Sequence, residues 1–218
     1  MKLSIYPLAF LLIFLVGCNG GEWTSESPIK FQEPQPKGVN PLKSFPKRFQ
    51  GNYTDSANNY TINIGDNMIV KYTNWGFRTI KDSLVNNFII KRDSLIAKDS
   101  SGSYKITIKG DSIINETVVK DTFFTLSDSA VIKKYSGYCF LNIRNGSSGW
   151  SVKKLSLSSG ILTLATIKDS TELEYLKEVE ENFSDTIPVN VHPSKKQFKH
   201  FIKAGGFGSE EKYYRVKR

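Results

Sequence analysis

The feature that most constrains the fold of this chain is a long series of short apolar runs separated by turn residues. Between residues 49 and 167, Val, Ile, Thr, Tyr and Phe dominate the runs, and segments such as Gly65-Asp66-Asn67 and Ser158-Ser159-Gly160 separate them. β-Branched and aromatic side chains at alternate positions suit a half-buried pleated sheet. We therefore expect a mainly β chain, an antiparallel meander that forms a barrel or a sandwich. The expected strands cover residues 60–64, 68–73, 88–91, 94–97, 104–108, 113–119, 122–126, 130–135, 138–143, 150–157 and 161–167.

The pattern changes to helical spacing after Ile167. Two C-terminal helices are expected, the first with Ser170 as its N-cap and the second beginning after Pro193-Ser194. Gly205-Gly206 is expected to end the second helix, and a closing strand is expected over residues 211–216. The apolar faces carry Leu173, Leu176 and Val179 in the first helix, and Phe198, Phe201 and Ile202 in the second.

The N-terminus has the pattern of a secretion signal. Lys2 is followed by an apolar run from Ile5 to Val16, which is too short to span a bilayer as a helix. Leu15-Val16-Gly17-Cys18 then resembles the lipobox of bacterial lipoproteins. The resemblance implies that residues 1–17 are a signal peptide, and that Cys18 is lipidated and becomes the first residue of the mature, membrane-anchored protein.

The segment after Cys18 is rich in proline. Five of the eight prolines lie between residues 28 and 46. Such composition favours an extended chain over a packed one. We therefore expect residues 18–46 to be the lipidated cysteine and a flexible tether, and residues 47–218 to be a β-rich domain with a C-terminal helical portion.

The chain is basic, with a formal net charge of +9 that falls to +8 when Lys2 leaves with the signal. Bases concentrate in residues 195–218, whereas acids concentrate in residues 168–185. A basic C-terminal surface would suit an anionic envelope polymer or an envelope protein, and two solvated faces are the plainer interpretation. No motif for reading nucleic acid occurs, so nucleic acid is not an expected partner.

Residues that carry chemistry are few. Cys139 lies in an apolar run and is expected to be a buried core residue, and once Cys18 is lipidated no disulfide can form within the chain. His192 and His200 match no metal spacing or catalytic triad. The sequence thus assigns no catalytic residue, metal or cofactor, although the fold could still bring two carboxylates together.

Phe49-Gln50-Gly51-Asn52-Tyr53 resembles the Gly-x-Trp start of lipocalins, with Tyr53 in place of the tryptophan. Lipocalins also run as a meander followed by a helix and a short strand. The resemblance implies a barrel that binds an apolar ligand in its mouth. A plain first strand after the tether is the competing interpretation.

Nine of the ten aspartates are followed directly by Ser or Thr, which is far more than composition explains. Both residue types hydrogen-bond to nearby backbone and start turns, which is one cause. The other is modification, because Asp-Ser/Thr before a small or aliphatic residue is similar to the O-glycosylation acceptor of exported proteins in one large phylum of Gram-negative bacteria. The sites that fit are Ser56, Ser83, Ser94, Ser112, Ser129, Ser170 and Thr186.

Three functions fit these observations. The first is a non-catalytic envelope lipoprotein that binds or scaffolds a partner, like the small β-rich lipoproteins that the whole sequence resembles. The second is a lipocalin-like carrier of a small apolar ligand, and the third is an enzyme acting on envelope polymers. Asn19 is not the aspartate that retains some lipoproteins at the inner membrane, so the outer membrane is the expected location.

Overall fold

The computed structural model describes residues 29–55, 60–84, 86–99, 102–144, 146, 149–167, 172, 174–175 and 189–216. Cys18 and the first expected site serine, Ser56, lie outside these ranges, as do Ser170 and Thr186. The strands are β1 (Ile29–Phe31), β2 (Pro41–Leu42), β3 (Gly51–Asp55), β4 (Tyr60–Ile64), β5 (Met68–Ile80), β6 (Phe88–Lys91), β7 (Ser94–Ala97), β8 (Ser103–Lys105), β9 (Thr107–Lys109), β10 (Ser112–Thr125), β11 (Ala130–Tyr135), β12 (Tyr138–Arg144), β13 (Trp150–Ser158), β14 (Ile161–Thr166), β15 (Val189–Val191) and β16 (Ser209–Arg215). The helix α1 spans Lys195–Lys203.

The expected mainly β, antiparallel fold is confirmed. The main sheet has the strand order β2-β11-β12-β13-β14-β16-β3-β4-β5-β10-β9, and β1 and β15 extend it beside β13. Consecutive strands along the chain are mostly neighbours in this sheet, as short hairpin turns require. The hydrogen-bonded path through the described residues is open, so of the two expected forms the sandwich fits and a closed barrel does not.

The main core lies on one face of this curled sheet. It is lined by alternate residues of nine strands together with Phe45 and Phe49, and all of them are less than a tenth exposed. The strand residues are Tyr53, Ile62, Ile64, Ile69, Phe124, Ala130, Ile132, Cys139, Leu141, Leu155, Leu162, Leu164 and Tyr213. Cys139 is therefore the buried core cysteine that the sequence predicts, and burial raises the pKa of its thiol to about 11.

A second core covers the opposite face of β12, β13 and β14. There Phe140, Val152 and Ala165 pack against α1 and against the ribbon of β1 and β15. Phe198 of α1 meets Phe140 with ring centroids 5.2 Å apart. β12, β13 and β14 thus have a packed core on each face, which is why few of their residues are exposed.

Residues 29–46 belong to the folded domain, so the tether expected over residues 18–46 is wrong from Ile29 onward. β1 pairs with both β13 and β15, and Ile29 and Phe31 are fully buried. Polar contacts hold the following loop: Asn142 Nδ2 donates to Gln35 O at 2.9 Å, and Lys133 Nζ donates to Pro34 O at 2.6 Å. Proline restricts the backbone without preventing packing, so proline content alone misplaced the domain boundary.

The second C-terminal helix and the closing strand are confirmed. Ser194 caps α1 and forms a capping box with Gln197, while Phe198 and Phe201 face the second core. The closing strand β16 begins at Ser209, slightly earlier than predicted, and pairs with β14 and β3. Most of the expected first helix lies outside the described residues. The three of its residues that are described, Glu172, Glu174 and Tyr175, are helical.

β5 and β10 are longer than expected and form a hairpin that extends past the main core. Met68 pairs with Thr125 at one end of the hairpin, and Ile80 pairs with Ser112 at the other. The three-stranded sheet β6-β7-β8 packs near the end that contains Ile80 and Ser112. A small third core of Leu95, Ile106 and Ile113 joins that sheet to the hairpin. We call residues 74–119 the arm.

Candidate functional site

A group of polar side chains lies on the core-facing side of the main sheet. Tyr60 on β4, Lys71 on β5, Lys153 on β13, and Glu211 and Tyr213 on β16 form what we call the inner polar cluster. Their cross-strand partners place them on this side: Lys71 is opposite Ile62, Lys153 is opposite Leu141, and Glu211 is opposite Leu164. Such groups interrupt an otherwise apolar lining, so they are candidates for a function other than folding.

The two tyrosines connect the cluster across the sheet. The Tyr213 hydroxyl donates to Glu211 Oε2 and lies 3.5 Å from the Tyr60 hydroxyl. The Tyr60 and Tyr213 ring centroids are 5.9 Å apart, and Lys71 Nζ lies 4.0 Å from the centroid of the Tyr60 ring. Burial and the hydrogen bond to Glu211 raise the pKa of Tyr213, so this side chain stays a neutral donor at ordinary pH.

Lys153 is the most deeply buried amine of the cluster, at 6% exposure. Burial lowers the pKa of its ammonium to about 8, and the negative charge of Glu211 opposes that shift. A buried lysine whose pKa is near neutrality can change its charge when the surroundings change. The cluster thus combines an ammonium group, a carboxylate and two hydroxyls beside the main core.

The Gly51-Asn52-Tyr53 segment has a structural role. Arg215 at the end of β16 lies over the Tyr53 ring, with Cζ 5.0 Å from the ring centroid, and also donates to the Tyr53 hydroxyl and to Arg48 O. The Tyr53 hydroxyl in turn donates to Phe49 O at 2.7 Å. The closing strand is thus fixed to the first strand of the curled sheet and to the turn before it.

The arm carries most of the exposed apolar surface. Of the nine large apolar side chains exposed among the described residues, seven lie on the arm. They are Trp75, Ile80, Ile89, Tyr104, Ile108, Val118 and Val119. Gly76 lets the two long strands approach closely here, because a Cβ at this position would lie 2.3 Å from Asn115 O. Concentrated exposed apolar side chains are typical of an interaction surface.

The basic C-terminal surface is present on α1. Lys195, Lys196, Lys199 and Lys203 are exposed on the face opposite Phe198 and Phe201. Most of the acidic residues that could face it lie outside the described ranges. The exposed lysines suit an anionic polymer, but they are also what the solvent face of any amphipathic helix would carry.

Four expected acceptor serines are described, and all lie in or beside turns. Ser83 and Ser129 are exposed, whereas Ser94 and Ser112 are half-buried at the first positions of β7 and β10. Ser83 Oγ donates to Ile80 O at 2.7 Å, and Ser129 Oγ lies 3.1 Å from Ser127 Oγ. The turn-forming interpretation and the modification interpretation are both compatible with these positions.

His192 precedes α1 whereas His200 lies within it, and His192 Nε2 lies 2.6 Å from Glu33 Oε1. Within the described residues, no three His, Cys, Asp or Glu side chains are grouped to hold a metal. None of the helices in these ranges is long and apolar enough to cross a membrane.

No protein-family model matches the chain, and neither a curated protein nor a solved structure is significantly similar to it.

Sequence reasoning missed both the inner polar cluster and the arm surface. The cluster gathers residues from four strands, so no local motif marks it. The one available signal was a lysine at an inward position, in Val152-Lys153-Lys154-Leu155 and in Val70-Lys71-Tyr72. The arm was missed because Asn74, Gly76 and Arg78 have low strand propensity or high polarity.

Proposed function

We propose that this chain is a lipid-anchored, non-catalytic binding module of the cell envelope, and that the arm is its binding element. The concentration of exposed apolar side chains on the arm carries the proposal. A partner that covers Trp75 and Val119, which share one face of the ribbon, would remove from water side chains that are 48% and 51% exposed in the monomer.

Anchoring rests on the Leu15-Val16-Gly17-Cys18 motif and places the module at the envelope, with the outer membrane as the proposed location. Substitution Cys18→Ser should abolish membrane attachment, because a lipidated cysteine has no replacement elsewhere in the motif. Cells would be fractionated and labelled with a fatty-acid probe. A Cys18→Ser protein that still sediments with membranes and incorporates the probe would contradict the anchor.

The binding role is tested by affinity capture from the native envelope. Wild type is compared with Trp75→Ser on the arm and with Tyr214→Ser as the matched control, because Tyr214 is similarly exposed at 52% but lies on β16. Trp75→Ser should lose co-purifying envelope components that Tyr214→Ser retains. Equal recovery with all three proteins would contradict a role for the arm.

A second candidate is carriage of a small apolar ligand with a polar head group. The inner polar cluster favours it, since Lys153 and two tyrosine hydroxyls lie beside the main core. Native mass spectrometry of the protein from its own host should then show a bound small molecule that Lys153→Met reduces. Absence of any bound molecule in both proteins would contradict this candidate.

A further inference from the structure

One stretch of β10, at the base of the arm, has a free hydrogen-bonding edge. β10 pairs with β5 along its whole length on one side, but on the other side β9 covers only Ser112–Ile114. A bulge interrupts β10 between Thr122 and Phe124. Between these limits, residues 116–121 of β10 are exposed and pair with no other described strand, so the N–H and C=O groups on their outward side face solvent.

This edge also has the side chains of a pairing strand. Every residue from Glu116 to Thr122 is exposed, and Val118 and Val119 place apolar surface on both faces of the ribbon. An exposed strand edge of this length readily accepts another strand, and proteins that avoid such pairing usually shorten, cover or bend the edge. The sheet can therefore be extended by strand addition.

We propose that the added strand is β10 of a second copy of this chain, paired antiparallel about a twofold axis at Val118. Two independent features give this register. First, Asp111 O faces β5, so alternate residues put the outward N–H and C=O groups of this edge on Glu116, Val118 and Lys120, and full overlap of two such edges places Val118 opposite Val118. Second, this overlap places Glu116 opposite Lys120 of the second copy, and the symmetry repeats that pair.

The charge pattern favours this register over its neighbours. Glu116, Val118 and Lys120 alternate along β10 and so share one face, where the two Glu116–Lys120 pairs flank the two valines. The neighbouring hydrogen-bonded registers are shifted by two residues, and both lose the Glu116–Lys120 pairs because they place Lys120 opposite Val118 or Ile114. The resulting four-stranded ribbon, β5-β10-β10-β5, would also bring Val119 of each copy near Thr117 of the other.

The inference rests on the proposed function only in treating the arm as a binding element, and it is tested on the purified protein alone. The full mature lipoprotein in detergent is examined by sedimentation equilibrium as wild type, as Lys120→Glu, and as Glu116→Lys combined with Lys120→Glu. Wild type should dimerise, Lys120→Glu should weaken the dimer by about tenfold, and the double exchange should restore it.

Cross-linking then tests the register. Val118→Cys should form a disulfide-linked dimer, since directly opposite residues bring Cβ atoms within bridging range. Thr122→Cys, also at an exposed position of the same strand, should not, because this register separates the two copies of residue 122. A monomeric wild type, a Lys120→Glu protein that dimerises as wild type, or equal cross-linking at both positions would overturn the inference. A monomer that still loses envelope partners through Trp75→Ser would overturn self-association and leave the proposed function standing.

Discussion

At the scale of single residues, the main unfavourable feature of this molecule is the buried ammonium group of Lys153. Lys153 is almost fully buried beside Leu155, and its nearest described source of negative charge is Glu211 on β16. Burial of a charge is unfavourable unless hydrogen bonds and an opposite charge offset it. The lowered pKa of Lys153 means that the fold only partly offsets this penalty.

The pKa of Lys153 predicts a pH dependence of stability. It is about 8 in the folded protein against an ordinary lysine pKa of 10.5, so between these values the unfolded chain binds more protons than the folded one. The free energy of unfolding therefore gains from Lys153 as the pH rises through 8.

Lys153→Met should remove this gain, since methionine fills a similar volume without charge. The difference in unfolding free energy between wild type and Lys153→Met should change by about 1 kcal/mol in favour of wild type between pH 7 and pH 9. Urea denaturation at both pH values measures it. A difference independent of pH would show that Lys153 is not buried as an amine with a lowered pKa.

At the scale of elements, the N-terminal segment is the part of the domain that departs most from the sequence-based prediction. β1 is only three residues long, yet it inserts between β13 and β15 and contributes to the second core. Lys37 Nζ and His192 Nε2 both approach Glu33 Oε1, at 2.9 and 2.6 Å, and so connect this segment to the residues before α1. The folded domain therefore begins a short stretch of sequence after Cys18, the proposed anchor.

Phe31→Ala tests whether this segment is part of the folded domain. Phe31 is fully buried and its ring lies 6.0 Å from that of Phe198, so truncation should destabilise the protein by about 3–5 kcal/mol. Gln32→Ala, at the exposed neighbouring position, is the control and should change stability by less than about 0.5 kcal/mol. Thermal or urea unfolding measures both. Equal stability of the two variants would restore the interpretation of these residues as a tether.

Strand positions could be predicted well from sequence because alternation and turn residues act locally. Tyr60–Ile64, Tyr138–Ile143 and the hairpin around Ser159-Gly160 follow from such signals, as does the capped start of α1 at Ser194. The union of residues 113–119 and 122–126 into one strand could not be predicted. It depends on the pairing with β5, which spans residues far apart in the chain and absorbs the irregularity as a bulge.

At the scale of the whole molecule, the curled sheet separates three surfaces with different chemistry. The inner polar cluster lies on its core side, the lysines of α1 lie over the second core, and the apolar arm extends beyond both. Sequence reasoning could find the lysines of α1, because a helix groups them locally. It could not find the other two surfaces, because strand pairing alone brings their residues together.

The turns of the molecule give a further prediction about its surface in the host. If the Asp-Ser/Thr pairs are acceptors, Ser83 and Ser129 should carry glycans, since both are exposed and a transferring enzyme can reach them. Intact mass spectrometry of the protein from its own host should show added mass, reduced in Ser83→Ala and in Ser129→Ala. A mass equal to that of the lipidated polypeptide would leave the pairs as turn formers only.

The central claim is that an anchored module binds an envelope partner through its arm, and site-specific photo-cross-linking in intact host cells tests it most directly. A photoreactive residue would replace Trp75 on the arm or, in a matched control, Tyr214 on β16, whose exposure is nearly the same. The account predicts a discrete cross-linked species from position 75 and none from position 214. Cross-links that are absent from position 75, or that form equally from both positions, would contradict it.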